Sequence, residues 1–167
     1  MWVWQVALVL AIAFGCSYFL GQSVVIKETS MEPTVSSGDT VLINTASYFL
    51  GSPKRGDIIV FSTGDIGTDY QIKRVVGLPN ETVQISNGQI IIDGETYVEK
   101  KGFAAIADAG LASDQVELSG DEYFVLGDNR NNSEDSRHAD VGAVKRENIV
   151  GKLWLRIEPK ERFGMVE

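Results

Sequence analysis

From Trp2 to Leu20 the chain is apolar on nearly every residue and holds no Asp, Glu, Lys, Arg or His. Wound as a helix at 1.5 Å per residue, such a segment is about 28 Å long, close to the thickness of a bilayer's hydrocarbon. It therefore predicts one transmembrane helix. Trp2, Trp4 and Tyr18 fall near its ends, where amphipathic rings favour the water interface, and Gln5 and Ser17 are tolerable near the boundaries. A cleaved signal peptide would need a basic start, a shorter apolar stretch and a small-residue exit. A lipoprotein signal ending at Cys16 would place the bulky Phe14 badly. No Lys or Arg precedes the segment, so positive-inside bias does not fix its orientation.

After Gln22 the pattern changes to short runs rich in β-branched and aromatic residues, bounded by Gly, Pro, Asn, Asp and Ser. Strands are predicted at 24–26, 39–43, 57–61, 71–76, 82–86, 89–92, 95–98, 123–126 and 150–157. Asn87-Gly88 and Asp93-Gly94 are tight-turn pairs that accept positive φ, so residues 82–98 should form a compact meander. The stretch 102–120 is small and polar and reads as a mobile loop or peripheral insertion. The chain thus divides into an anchor (1–22), a mostly β core in two parts (23–79 and 121–167), and an inserted hairpin and loop (80–120).

Composition narrows the chemistry. Asp and Glu total 23 against 15 Lys and Arg, a net charge of −8, with no basic run. Nucleic acid is therefore not an expected partner, since phosphate binding needs a positive surface. The single cysteine, Cys16, lies in the apolar segment, so neither a disulfide nor a cysteine-based zinc site is expected, and no metal or cofactor is called for.

Familiar proteolytic catalysts are poorly represented. One histidine, His138, lies in a polar stretch that suits an exposed or loop-packing role, and the paired Asp-Thr-Gly or Asp-Ser-Gly turns of aspartic proteases do not occur. Ser30, just after the apolar run Val24-Val25-Ile26, is a candidate nucleophile that needs a base. A lysine kept neutral by burial can serve. Lys73 fits: strand alternation puts it on the face it shares with Val75, where water can be stripped from its ammonium. Taken alone, the same lysine could equally snorkel out from a strand edge.

Three segments, in order, carry a family resemblance: Ser30-Met31-Glu32-Pro33-Thr34, then Lys73-Arg74-Val75-Val76-Gly77-Leu78-Pro79, then the run 127–137 from Gly127-Asp128-Asn129-Arg130 to Asp135-Ser136-Arg137. With Arg55-Gly56-Asp57-Ile58-Ile59-Val60-Phe61 as a fourth, the chain resembles the bacterial type I signal peptidases. The resemblance implies a mostly β, antiparallel-sheet fold of the signal-peptidase and repressor-protease type, with one N-terminal transmembrane helix and a small β insertion. It implies that Ser30 is the nucleophile, that Lys73 is the general base, and that Ser133 hydrogen-bonds Lys73. It further implies ion pairs of Arg74 with Asp128 and of Arg137 with Asp135, which would keep carboxylates from holding Lys73 protonated. Ile26 and Ile72 would line shallow pockets for small substrate residues. The implied partners are signal peptides of exported preproteins and the lipid bilayer, with the catalytic domain on the outer side of the cell membrane.

Two positions depart from the family: after Pro79, where members often have Gly-Asp, the chain has Asn80-Glu81, which keeps a turn-capable residue and an acid and should matter little, and the other lies beside the nucleophile. Two residues before the nucleophile, members usually have glycine or a small hydroxyl residue that can help hold the oxyanion; here it is Glu28. A carboxylate cannot donate and would repel the developing charge, so its side chain is expected to turn toward solvent, and Glu28→Ser or Glu28→Gly should raise turnover. Two other readings remain: a membrane-tethered binding or pilus-assembly module of the same fold with weak or no proteolysis, and a self-cleaving repressor-type protease. The apolar anchor and the lack of a DNA-binding segment oppose the second.

Overall fold

A computed structural model describes residues 2–20, 22–49, 51–63 and 70–166. Helix α1 (Trp2–Leu20) takes up the apolar segment. It is apolar on all sides, and Trp2, Val3, Trp4, Leu8 and Ile12 stand exposed. Among the described residues no helix is long and apolar enough to cross a membrane, so the predicted crossing is not shown by the fold. The seats expected for the side chains of Phe14, Cys16, Ser17 and Tyr18 lie outside what is described.

The strands that follow are β1 (Gln22–Val25), β2 (Thr40–Asn44), β3 (Ile58–Ser62), β4 (Tyr70–Gly77), β5 (Thr82–Ser86), β6 (Gln89–Ile92), β7 (Glu95–Thr96), β8 (Val116–Glu117), β9 (Glu122–Leu126), β10 (Val144–Lys145), β11 (Ile149–Glu158) and β12 (Gly164–Met165). Every predicted strand exists; 82–86 and 89–92 match at both ends, and the ends of the others differ by at most two residues. The two-residue strands β8, β10 and β12 had no sequence signal, because two residues are too few to show alternation.

Eight strands form one antiparallel sheet in the order β1-β2-β11-β3-β4-β9-β10, with β12 paired to β11. Four more form a small sheet, β7-β6-β5-β8. The central strand β3 is buried along its whole length, which is why it reads as a continuous apolar run rather than an alternating one. Ile58 and Val60 join a cluster with Ile26, Met31, Val35, Val41, Ile43 and Leu153. Ile59 and Phe61 join the other, with Tyr48, Val75, Tyr123 and Val125.

The small sheet is built by the predicted turns. Asn87 and Gly88 (φ 52° and 76°) and Asp93 and Gly94 (φ 51° and 83°) take the paired left-handed conformation that reverses a hairpin in two residues. Val83, Ile85, Ile90 and Ile92 of this sheet then pack on Val76, Phe124 and Leu126 of the large one.

The segment 102–120 corrects the sequence reading. It is docked on the core, with Ile106, Ala112 and Leu118 buried in the cluster that joins the two sheets. Its backbone is tied at several points: Ile106 N–H to Gly88 O, Ala107 N–H to Asn131 Oδ1, and Leu111 N–H to Arg137 O. Its few apolar residues are spaced too irregularly to announce this.

Candidate active site

Ser30 is set by a turn that two apolar anchors hold in place. Met31 and Val35 are buried, and Glu32 N–H to Thr29 O with Val35 N–H to Met31 O close the turn around it. The loop after β9 grips the same turn from outside: Asn129 donates its N–H to Ser30 O at 2.9 Å and its side-chain amide to Thr29 O, and the Asn132 amide reaches Thr29 Oγ1. Gly127 allows this approach. A Cβ there would lie 2.2 Å from Ser133 Oγ and 2.6 Å from Ser30 O.

Lys73 comes from β4, opposite Ile59 of β3, and is 1% exposed. Its Nζ lies 3.0 Å from Ser30 Oγ. Burial pushes the amine below the ordinary lysine value, while the charges of Glu28, Asp135 and Glu134 push it back up.

The two predicted ion pairs are both present and buried. Arg74 donates two 2.7 Å hydrogen bonds to Asp128 and a third to Gly56 O. Arg137 meets Asp135 through bonds of 2.8 and 2.9 Å. Burial alone would raise the Asp135 carboxyl; the Arg137 guanidinium and the Gly127 N–H outweigh it and hold the group below the usual carboxylate range.

Two grooves meet at Ser30. One is apolar and lined by Val24, Ile26, Val35, Ile43, Val60 and Ile72, so Ile26 and Ile72 face the same space. The other is polar and is lined by Gln71, Lys73, Asn132, Ser133, Glu134 and His138. His138 is exposed, and its Nδ1 accepts the Asp135 N–H at 3.4 Å.

Two expectations need correcting. Ser133 shares the polar groove with Lys73, yet the bond from its hydroxyl to Lys73 is not made. Glu28 does not simply turn to solvent. Its side chain is 54% exposed, but Oε2 accepts the Ser30 hydroxyl at 3.2 Å and lies 3.5 Å from Lys73 Nζ. Extended-chain alternation was the available signal, since Glu28 and Ser30, two apart, share a face. The anchoring by Asn129 and Asn132, and the close approach at Gly127, had no such signal.

Comparison with known proteins agrees with this arrangement. A sequence profile described as signal peptidase, peptidase S26, matches residues 1–157. The chain belongs to the signal peptidase family. It is 36% identical over 160 residues to a probable signal peptidase I-2 of Synechocystis, covering 93% of this chain and 71% of that one. With a signal peptidase I of Leptolyngbya laminosa it shares 36% over 166 residues, covering 95% and 79%. With signal peptidase I P of Bacillus subtilis subsp. natto it shares 32% over 169 residues, covering 97% and 90%. The crystal structure of a signal peptidase I from Enterococcus faecalis superposes with a TM-score of 0.50 at 30% identity, covering 61% of this chain and 97% of that one. A signal peptidase of this family is a serine endopeptidase that removes signal peptides from preproteins, and this chain is such an enzyme.

Proposed function

We infer that Ser30 is the nucleophile and Lys73 the general base of this peptidase. The observation that carries the reading is a lysine nitrogen 3.0 Å from a serine hydroxyl, on a side chain only 2% exposed. A buried amine can lose its proton near neutrality, and at that distance it can take the serine proton as Oγ attacks a carbonyl. Lys73 passes that proton to the leaving amine as the acyl-enzyme forms; a water that gives its proton to the same lysine then hydrolyses the ester, and Ser30 Oγ regains its proton as it leaves. The Ser30 backbone N–H is the proposed oxyanion donor, since Glu28 has no proton to give while ionised.

Substrate would enter as an extended strand. Strand β1 lies at the end of the large sheet, with one edge unpaired in that sheet's order, beside the apolar groove. A peptide added there gains main-chain bonds independent of its side chains, and the small space between Ile26 and Ile72 supports a preference for small residues before the cut. The ion pairs Arg74–Asp128 and Arg137–Asp135 keep two carboxylates occupied near the dyad, and Ser133 supplies a hydroxyl in reach of the groove.

The anchor belongs to the same reading. Helix α1 leaves Trp2, Trp4, Leu8 and Ile12 uncovered on several sides, which is unfavourable in water, and this supports seating α1 in a bilayer, with the β domain outside the cytoplasm where signal peptides emerge. The test is a labelled preprotein incubated in detergent with wild type, Ser30→Ala and Lys73→Ala. Cleavage after small residues by wild type alone is expected. Substrate left whole in all three tubes would favour the tethered binding module instead.

A further inference from the structure

The hydrogen bonds around Ser30 run in the wrong direction for attack. An ionised carboxylate only accepts, so the Ser30 hydroxyl must donate its one proton to Glu28 Oε2, 3.2 Å away. Lys73 in turn donates to Ser30 Oγ. For acylation the serine proton has to face the lysine nitrogen, and that nitrogen has to present a lone pair. In this geometry the serine proton faces Glu28 instead, and Lys73, while it is protonated beside that carboxylate, has no lone pair to offer.

We propose that Glu28 is a charge-setting residue of the dyad: in the free enzyme its carboxylate holds Lys73 protonated and the Ser30 hydroxyl turned away, and it swings out to solvent when substrate binds. This rests on the assignment of Ser30 and Lys73 above. The side chain is built for such movement, being 54% exposed while Lys73 is 2% exposed. It lines both grooves, so a peptide laid along residues 24–28 meets it directly. When it leaves, the ammonium loses its 3.5 Å counter-charge in a dry site and releases a proton to water; the neutral amine then accepts the bond from Ser30. The Ser133 hydroxyl lines the same groove and becomes the amine's polar neighbour in place of the carboxylate.

The other charged groups around the amine do not duplicate Glu28. Asp135 is committed to Arg137, and Glu134, Lys27 and His138 are exposed at the groove rim. Glu28 is the carboxylate within ion-pair distance of Lys73 among the described residues.

The test compares wild type with Glu28→Gln, which keeps size and hydrogen bonding and removes the charge. An opposite charge at this distance moves a pKa by about 1–3 units, and half exposure puts this pair near the lower end. The rising, low-pH limb of the kcat/KM profile, which reports loss of the Lys73 proton, should therefore move down by about one pH unit in the variant. That corresponds to about tenfold faster cleavage below the limb and equal rates above it. Superimposed profiles, or a uniform loss at every pH with the limb unmoved, would overturn the proposal. A ¹³Cε titration of Lys73 in both full-length proteins reads the same shift without substrate: movement of the lysine midpoint supports the proposal, and an unmoved midpoint overturns it. A wild type inactive at all pH values would count instead against the Ser30 and Lys73 assignment, leaving the titration to decide the role of Glu28.

Discussion

Arg74 and Asp128 form a doubly hydrogen-bonded ion pair, with both bonds at 2.7 Å and side chains 7% and 0% exposed. It joins β4, which carries Lys73, to the loop that grips the Ser30 turn. Both halves of the dyad are thus referred to one fixed point.

Removing one partner should therefore do more than loosen the surface. Asp128→Ala leaves a buried guanidinium without its counter-charge, a change that costs roughly 3–5 kcal/mol of stability. Activity should fall further than stability alone explains, because Asn129, next in the chain, holds Ser30 O. The double variant Arg74→Met with Asp128→Leu removes both charges and should regain most of the stability without regaining the activity. Urea unfolding and preprotein cleavage measure the two separately. A double variant as unstable as Asp128→Ala would show that the pair is not an isolated unit.

Gly127 gives the second prediction. Its Cβ would overlap Ser133 Oγ and Ser30 O, both in the site, so Gly127→Ala must push the loop or the nucleophile's turn aside. Overpacking of this kind costs about 1–3 kcal/mol, and a displacement near 1 Å at reacting groups slows a reaction on the order of a hundredfold. Gly102→Ala, where nothing lies within 4 Å, serves as the control and should be close to wild type in both respects. A Gly127→Ala enzyme with wild-type kcat/KM would remove the close approach from any account of the site.

How much of this was legible follows from the range of each interaction. Strand positions and the 87–88 and 93–94 turns are local, written in β-branched runs and in residues that accept positive φ, and they were read nearly to the residue. The dyad was legible only as a pair of residue types; that β3 and β4 bring Lys73 against Ser30, 43 positions away in sequence, needed the resemblance before coordinates gave a distance. The docking of 102–120 was misread because Ile106, Ala112 and Leu118 pack individually on two sheets rather than forming one periodic face. Glu28 was misread for a different reason. Repulsion of an oxyanion follows from its place two residues before Ser30, whereas its attraction to the ammonium 3.5 Å away depends on the fold bringing Lys73 there.

The last prediction concerns the stability cost of Lys73 itself. Burial lowers the folded-state pKa of this amine relative to the unfolded chain, where lysine titrates near about 10.4. Below the folded value both states are charged, and folding carries the full cost of burying the ammonium. Between the folded and unfolded values the unfolded chain binds the extra proton, so stability rises with pH until the cost is gone above the unfolded value. Lys73→Met lacks this dependence. It should be inactive yet more stable than wild type near neutral pH, by roughly 1–4 kcal/mol on the pattern of buried charges replaced by apolar residues of similar size. The advantage should narrow as pH rises toward about 10. Chemical unfolding of both proteins at several pH values from 7 upward measures it. A difference that stays constant with pH would mean that Lys73 titrates alike folded and unfolded, and a base kept neutral by burial would no longer explain how Ser30 is activated.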